Sequence, residues 1–200
     1  MALLSVNGQR FLSLTWRDIE ELVDNLFLKL GETYKPDTII GVMRGGVIIA
    51  NLLSDLFQSQ EVYVIGCRSY MGKDRREEVK IYHDLILKDL RNRRVLVVDD
   101  VSDSGNTLKT ALKHIITPRS PGEVRTATLH IKPWTSYTPD YYVDKTDAWI
   151  IYPWERIEAI KILGKIFIKE MNHEQVVSEL SRLTRVKRDD VERVLKDYDR

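Results

Sequence analysis

The apolar positions of this chain change period along its length. Between residues 15 and 31, Ile19, Leu22, Val23, Leu26, Phe27 and Leu30 recur three and four apart, which gathers them on one face of a helix. Thr15 and Asp18 have the spacing of a capping pair at its start, and Gly31 is a stop signal. Residues 38 to 42 are a short apolar, β-branched run, and a second apolar helix is predicted over 47–57, after Arg44-Gly45-Gly46. Strand-like runs follow at 62–67, 79–82 and 95–98. A helix from about 107 to 116 is expected to end before Pro118, and 124–131 reads as another strand. Strands apolar on both faces, alternating with helices, predict an α/β fold with a mostly parallel sheet flanked by helices.

After residue 154 the alternation stops. Three helices are predicted, over 155–171, 172–184 and 188–198, with only 165–168 ambiguous between helix and strand. Asn172 and Gln175 form a capping pattern, and Val176, Val177, Leu180 and Leu183 form the stripe behind it. In the last helix the stripe is Val191, Val194, Leu195 and Tyr198. The expected organisation is an α/β domain over 1–154 and a three-helix C-terminal extension over 155–200, with no internal repeat.

Composition narrows the function classes. Hydrophobic residues make up 43% and charged residues 30%, ordinary for a soluble globular chain. With 31 basic and 30 acidic residues the net charge is +1, which argues against a generic polyanion binder and leaves room for a local anion pocket. The single cysteine, Cys67, excludes an intramolecular disulfide; lying in the run from Val62 to Cys67, it reads as a small core residue. His83, His114, His130 and His173 are scattered without metal-ligand spacing. Residues 1–8 lack a charged segment followed by a long apolar stretch, and no run reaches the roughly 18 apolar residues of a membrane span, so a cytoplasmic location with no membrane partner is expected.

The chemistry concentrates in Val95-Leu96-Val97-Val98-Asp99-Asp100-Val101-Ser102-Asp103-Ser104-Gly105-Asn106-Thr107. Four apolar residues lead into two adjacent acids, then a hydroxyl-rich loop with a glycine, then a helix. Ligands of parallel α/β sheets gather at the carboxyl ends of strands, and a helix start there favours phosphate. Ser104, Thr107 and the backbone around Gly105 suit a monophosphate, whereas Asp99 and Asp100 suit vicinal hydroxyls or Mg²⁺. Acids beside a phosphate cradle indicate a sugar phosphate.

This stretch resembles the phosphoribosyl pyrophosphate loop of type I phosphoribosyltransferases, a long and specific signature distinct from the Walker and dinucleotide glycine motifs, neither of which occurs here. The resemblance implies that Asp99 and Asp100 meet the ribose hydroxyls, directly or through Mg²⁺, and that Asp103, Ser104, Gly105, Asn106 and Thr107 hold the 5′-phosphate. It makes Val42-Met43-Arg44-Gly45-Gly46 the pyrophosphate loop, with Arg44 and Gly45 as contacts and a strained or cis Met43-Arg44 peptide. Ser69 and Tyr70, with the polar stretch 71–78, become a lid over the pyrophosphate. Ile131-Lys132-Pro133-Trp134 and Trp149-Ile150-Ile151-Tyr152-Pro153-Trp154-Glu155 are similar to the base-binding elements of 6-oxopurine phosphoribosyltransferases. Trp149 would stack on a purine, the Ile150 backbone would read its edge, and Lys132 would donate to an exocyclic oxygen; Trp134 and Trp154 are expected in the core or at a hinge.

The implied reaction displaces pyrophosphate at the anomeric carbon, with Arg44 aiding departure and Asp103 handling the proton. The helical extension is similar to that of archaeal, crenarchaeal-type adenine phosphoribosyltransferases, which favours adenine; hypoxanthine, guanine and xanthine are the alternative. Helices 172–184 and 188–198 could instead form a helix-turn-helix in a regulator that senses phosphoribosyl pyrophosphate. Residues 172–200, however, carry seven Lys/Arg and seven Asp/Glu, so no nucleic-acid partner is expected. A homodimer is implied by the resemblance.

Overall fold

The computed structural model describes residues 1–59, 61–71 and 77–198. In chain order the elements are β1 (Ala2–Val6), β2 (Gln9–Ser13), α1 (Trp16–Gly31), β3 (Thr38–Met43), α2 (Gly45–Phe57), β4 (Val62–Met71) and β5 (Glu77–His83). There follow β6 (Arg94–Ser102), α3 (Asn106–Arg119), β7 (Glu123–Ile131), β8 (Tyr141–Lys145), β9 (Trp149–Ile151), α4 (Arg156–Phe167), α5 (His173–Thr184) and α6 (Arg188–Tyr198). Two compact units emerge, Glu21–Thr146 and a second that combines Met1–Glu20 with Asp147–Arg200.

The Glu21–Thr146 unit is built on a six-stranded sheet of order β5-β4-β3-β6-β7-β8. The β4–β3–β6–β7–β8 pairings are parallel, and β5 returns antiparallel to β4. Ile39, Ile40 and Val42 of β3 and Val95 to Val98 of β6 are buried, which is why these segments are apolar without alternation. Ile40, Val42, Val95 and Val97 share one core with Cys67 and with Leu108, Ala111 and Ile115 of α3.

The helix over α3 runs past the expected stop and contains Pro118 in its last turn. Proline has no N–H to give the His114 carbonyl four residues back. Arg119 takes its place: its Nη1 donates to the His114 oxygen at 2.8 Å, and Ser120 N closes the end on Ile116 O.

In the other unit, β1, β2 and β9 form a three-stranded sheet with β2–β9 parallel. The β1–β2 hairpin and the short strands β8 and β9 lie outside the strands predicted from the sequence. Asn7 and Gly8 carry φ of 48° and 78°, the two positive values of a type I′ turn, so the Asn-Gly pair was the signal for that hairpin. All three predicted C-terminal helices are present, the first ending earlier, at Phe167. The Asn172 side chain accepts from Gln175 N at 3.0 Å while Gln175 Oε1 accepts from Asn172 N at 3.0 Å, closing the predicted capping box. Val176, Val177, Leu180 and Leu183 of α5 and Val191 of α6 share one core with Phe11 of β2 and Ile151 of β9. Among the described residues no helix is long and apolar enough to cross a membrane.

Candidate active site

Strand β3 has β4 on one side and β6 on the other. The chain leaves β3 in one direction and returns to its opposite edge, so the loops after β3 and β6 open a crevice at the carboxyl ends of the two strands, the ligand position of open α/β sheets. The loop after β3 is Arg44, joined to Met43 through a cis peptide, and it passes directly into α2. A Cβ built on Gly46 would lie 2.3 Å from Val98 O and 2.9 Å from Asp99 Cα. Only glycine admits this approach, and it sets the first turn of α2 against the end of β6.

Asp99 and Asp100 end the buried run of β6 and are themselves 8% exposed. Each carboxylate accepts from the next backbone amide, Asp99 from Asp100 N at 3.0 Å and Asp100 from Val101 N at 2.8 Å. Beyond them Gly105 turns the chain with φ of 83° and caps α3 without a side-chain partner. Asn106 N donates to Ser104 Oγ at 3.3 Å, and the first turn of α3 opens on this loop, a helix start of the kind that suits an oxyanion.

A second loop braces this one. Lys132 N and Ser136 N donate to the carbonyls of Ser102 and Ser104, both at 3.0 Å. The Ser102 hydroxyl is 2.9 Å from Thr135 Oγ1 and donates to Tyr137 O at 2.8 Å, and Ser136 Oγ donates to Ser104 O at 2.5 Å. A Cβ on Gly105 would meet Tyr137 N at 2.6 Å. Sequence reasoning missed Thr135, Ser136 and Tyr137, whose one legible signal is a hydroxyl cluster directly after Lys132. Of the two places expected for Trp134, the core is corrected: the residue is 57% exposed, and its indole N–H reaches out to Asp103 Oδ1 at 2.7 Å. The Lys132 ammonium lies 5.5 Å from the centre of the Trp134 ring, although Lys132 as a whole is only 6% exposed.

Arg44, Gly45, Asp99, Asp100, Asp103 to Thr107 and Lys132 all belong to the Glu21–Thr146 unit, as do Ser69 and Tyr70 near the end of β4. Tyr70 is exposed with the Lys80 ammonium 5.5 Å from its ring centre; residues 72–76 of the expected lid lie outside the described residues. Trp149 and Ile150 belong to the other unit. The Trp149 ring stacks at 29° on Phe11, centroids 6.3 Å apart, and borders a hollow of about 160 Å³ completed by Ile150, Glu155, Glu158, Ala159 and Ile162. Trp154 stacks on Tyr152 with centroids 4.8 Å apart.

Two further groups are held in their neutral forms at neutral pH. Burial, with Asp99 adding to it, pushes the Cys67 thiol up to about 12, so it is no nucleophile. Burial holds His130 down at about 4, with Lys132 acting in the same direction and Asp144 against it, so its ring is neutral.

A mostly parallel sheet whose switch point carries a paired-acid loop, a hydroxyl-rich turn and a helix start is the type I phosphoribosyltransferase fold. The family model described as "Phosphoribosyl transferase domain" matches residues 14–158. The chain belongs to this family and is a phosphoribosyltransferase. It is 33% identical over 122 residues to the hypoxanthine phosphoribosyltransferase of Escherichia coli (strain K12), a match covering 58% of this chain and 67% of that one. The xanthine-guanine phosphoribosyltransferase of Idiomarina loihiensis is 27% identical over 153 residues, 74% of this chain and 89% of its own. The crystal structure of a purine phosphoribosyltransferase from Pyrococcus horikoshii Ot3 has 41% sequence identity and a TM-score of 0.65, covering 72% of this chain and 93% of that one. The family match stops at 158, inside α4, so α5 and α6 lie beyond it.

Proposed function

We propose that the enzyme transfers the phosphoribosyl group of phosphoribosyl pyrophosphate to a purine base, releasing pyrophosphate and a nucleoside monophosphate. The observation that carries this reading is the loop from Asp99 to Thr107 at the switch point, beside the Arg44-Gly45 loop. In the reaction a bond forms between a ring nitrogen and the anomeric carbon while the bond from that carbon to the pyrophosphate oxygen breaks. The electron pair leaves with pyrophosphate, and the proton shed by the base passes to Asp103. Arg44 draws on the departing charge, and Asp99 and Asp100 fix the ribose through its hydroxyls. Asp103 to Thr107 hold the 5′-phosphate, and Ser69 and Tyr70 close over the pyrophosphate.

Mg²⁺ fits this donor set. Asp99 and Asp100 are adjacent hard-oxygen donors, and no group of three acids, histidines or cysteines among the described residues forms a metal cage. An ion there would be held by Asp99 and Asp100 with oxygens of the sugar and pyrophosphate completing its shell. When bound, it supplies positive charge against the leaving group.

The base divides on two observations. Lys132 offers only donors, which suits an exocyclic oxygen, and the relatives from E. coli and I. loihiensis are named for hypoxanthine, xanthine and guanine. Adenine is favoured by the resemblance of the helical extension, which shares a core with β9, to that of archaeal, crenarchaeal-type adenine phosphoribosyltransferases. Under either reading Trp149 stacks on the base and the Ile150 backbone reads its edge. The same reading includes a homodimer and a cytoplasmic location.

The test offers adenine, hypoxanthine, guanine and xanthine separately with phosphoribosyl pyrophosphate and Mg²⁺. Product from adenine alone selects the adenine reading; product from the oxopurines alone selects the other. A folded protein that binds the sugar substrate yet converts no base overturns the enzymatic proposal in favour of a regulator.

A further inference from the structure

The Trp134 side chain stands largely in solvent. It is 57% exposed, yet both its polar edge and its face are engaged, the N–H by Asp103 Oδ1 at 2.7 Å and the ring by the Lys132 ammonium at 5.5 Å. Its own backbone is held on both sides. Before it, Lys132 N is bonded to Ser102 O; after it, Thr135 and Ser136 are bonded to Ser102 and Ser104, and Lys109 Nζ donates to Ser136 Oγ at 2.8 Å. The frame beneath the indole is thus fixed to the loop that carries Asp103, and the indole spans the gap between Asp103 and Lys132.

We propose that Trp134 is a positioning residue that sets the proton-accepting oxygen of Asp103 and the donor of Lys132 in one fixed relation, so that both engage the same base. This rests on the purine-transfer reading above. A carboxylate has two oxygens; with Oδ1 occupied by the indole, Oδ2 is the one presented to the base. An indole N–H donates and never accepts, so it orients the carboxylate without competing for the proton. The ring face attracts the ammonium electrostatically and limits where Lys132 can point. A hydroxyl in place of the indole could orient Asp103 but would offer Lys132 no face, and a phenyl would do the reverse.

The two functions separate by substitution. Trp134→Phe keeps the face and loses the donor. It should lower kcat about tenfold while leaving the KM for phosphoribosyl pyrophosphate and the thermal midpoint unchanged. Trp134→Leu loses both and should in addition raise the KM for the base. In an Asp103→Asn background, Trp134→Phe should cost nothing further, because the donor then has no carboxylate to orient. Equal kcat for wild type and Trp134→Phe, or full additivity with Asp103→Asn, overturns the inference and leaves purine transfer standing. Absence of product from the wild type with every purine overturns the reading itself and this inference with it.

Discussion

Gly46 and Val98 are in backbone contact: a Cβ on the first would lie 2.3 Å from the carbonyl oxygen of the second, and 2.9 Å from Asp99 Cα. These are backbone atoms, so no rotamer change relieves the clash in Gly46→Ala. Either the first turn of α2 or the end of β6 has to shift, and with it Arg44 or Asp99. We expect kcat/KM to fall by about 100-fold, the scale of an ångström-sized misplacement, with a loss of about 1–3 kcal/mol in stability. Steady-state kinetics and urea denaturation of the variant check both. Wild-type values in both would mean that the two loops are not held in register by this contact.

Arg119, also buried, holds a second junction of the same unit. Its Nε donates to Leu87 O at 2.6 Å, Nη1 to His114 O at 2.8 Å, and Nη2 to Leu85 O at 3.0 Å and Asp84 Oδ1 at 2.7 Å. One guanidinium thus ties residues 84–87 to α3 and supplies the donor that Pro118 lacks. Arg119→Met keeps much of the volume and strands three carbonyls, a loss of about 3 kcal/mol. Asp84→Asn should cost far less, since Asp84 is exposed and the carbonyl bonds survive. The order of the two denaturation midpoints decides whether the carbonyls or the ion pair carry the stability.

His130 makes stability depend on pH in a defined window. Its folded value of about 4 lies below the ordinary 6.5, chiefly through burial. Between those values the unfolded chain binds the proton and the folded one does not. The contribution is therefore intact above pH 6.5 and is lost as pH falls toward 4, by about 3 kcal/mol in all. Unfolding free energies measured from pH 7 to 4 should fall less steeply for His130→Gln than for wild type; parallel curves would exclude His130 as the source.

Much of this was legible in the sequence because local chemistry and global fold agree there. The run Val95 to Val98 is buried and leads into the acids, and Gly105 adopts the positive φ that its loop needs. The Asn172–Gln175 box forms because both partners lie within one helical turn. What escaped notice depends on residues far apart in the chain. Strand β9 has three residues, too few for a period, and exists through its parallel pairing of Phe11 to Ser13 with Trp149 to Ile151. The extra length of α3 depends on Arg119 answering for Pro118, a side-chain substitution for a backbone donor that no helix-stop rule contains. The exposure of Trp134 follows from Asp103, 31 residues earlier.

The C-terminal helices should influence the base more than the sugar. Leu180 of α5 is fully buried in the core that also holds Phe11 and Ile151, and Phe11 is the residue against which Trp149 stacks. Truncating Leu180 to alanine removes buried methyl groups and leaves a cavity, at a cost of about 3 kcal/mol. Neighbours that relax into that cavity loosen the platform behind Trp149, while the Asp99–Thr107 loop rests on a separate core. Leu180→Ala should therefore raise the KM for the base by about tenfold at a temperature where the variant is folded, with the KM for phosphoribosyl pyrophosphate little changed. If both constants rise together, the extension supports the whole enzyme rather than the base platform; if neither moves, Trp149 owes nothing to the helices behind it.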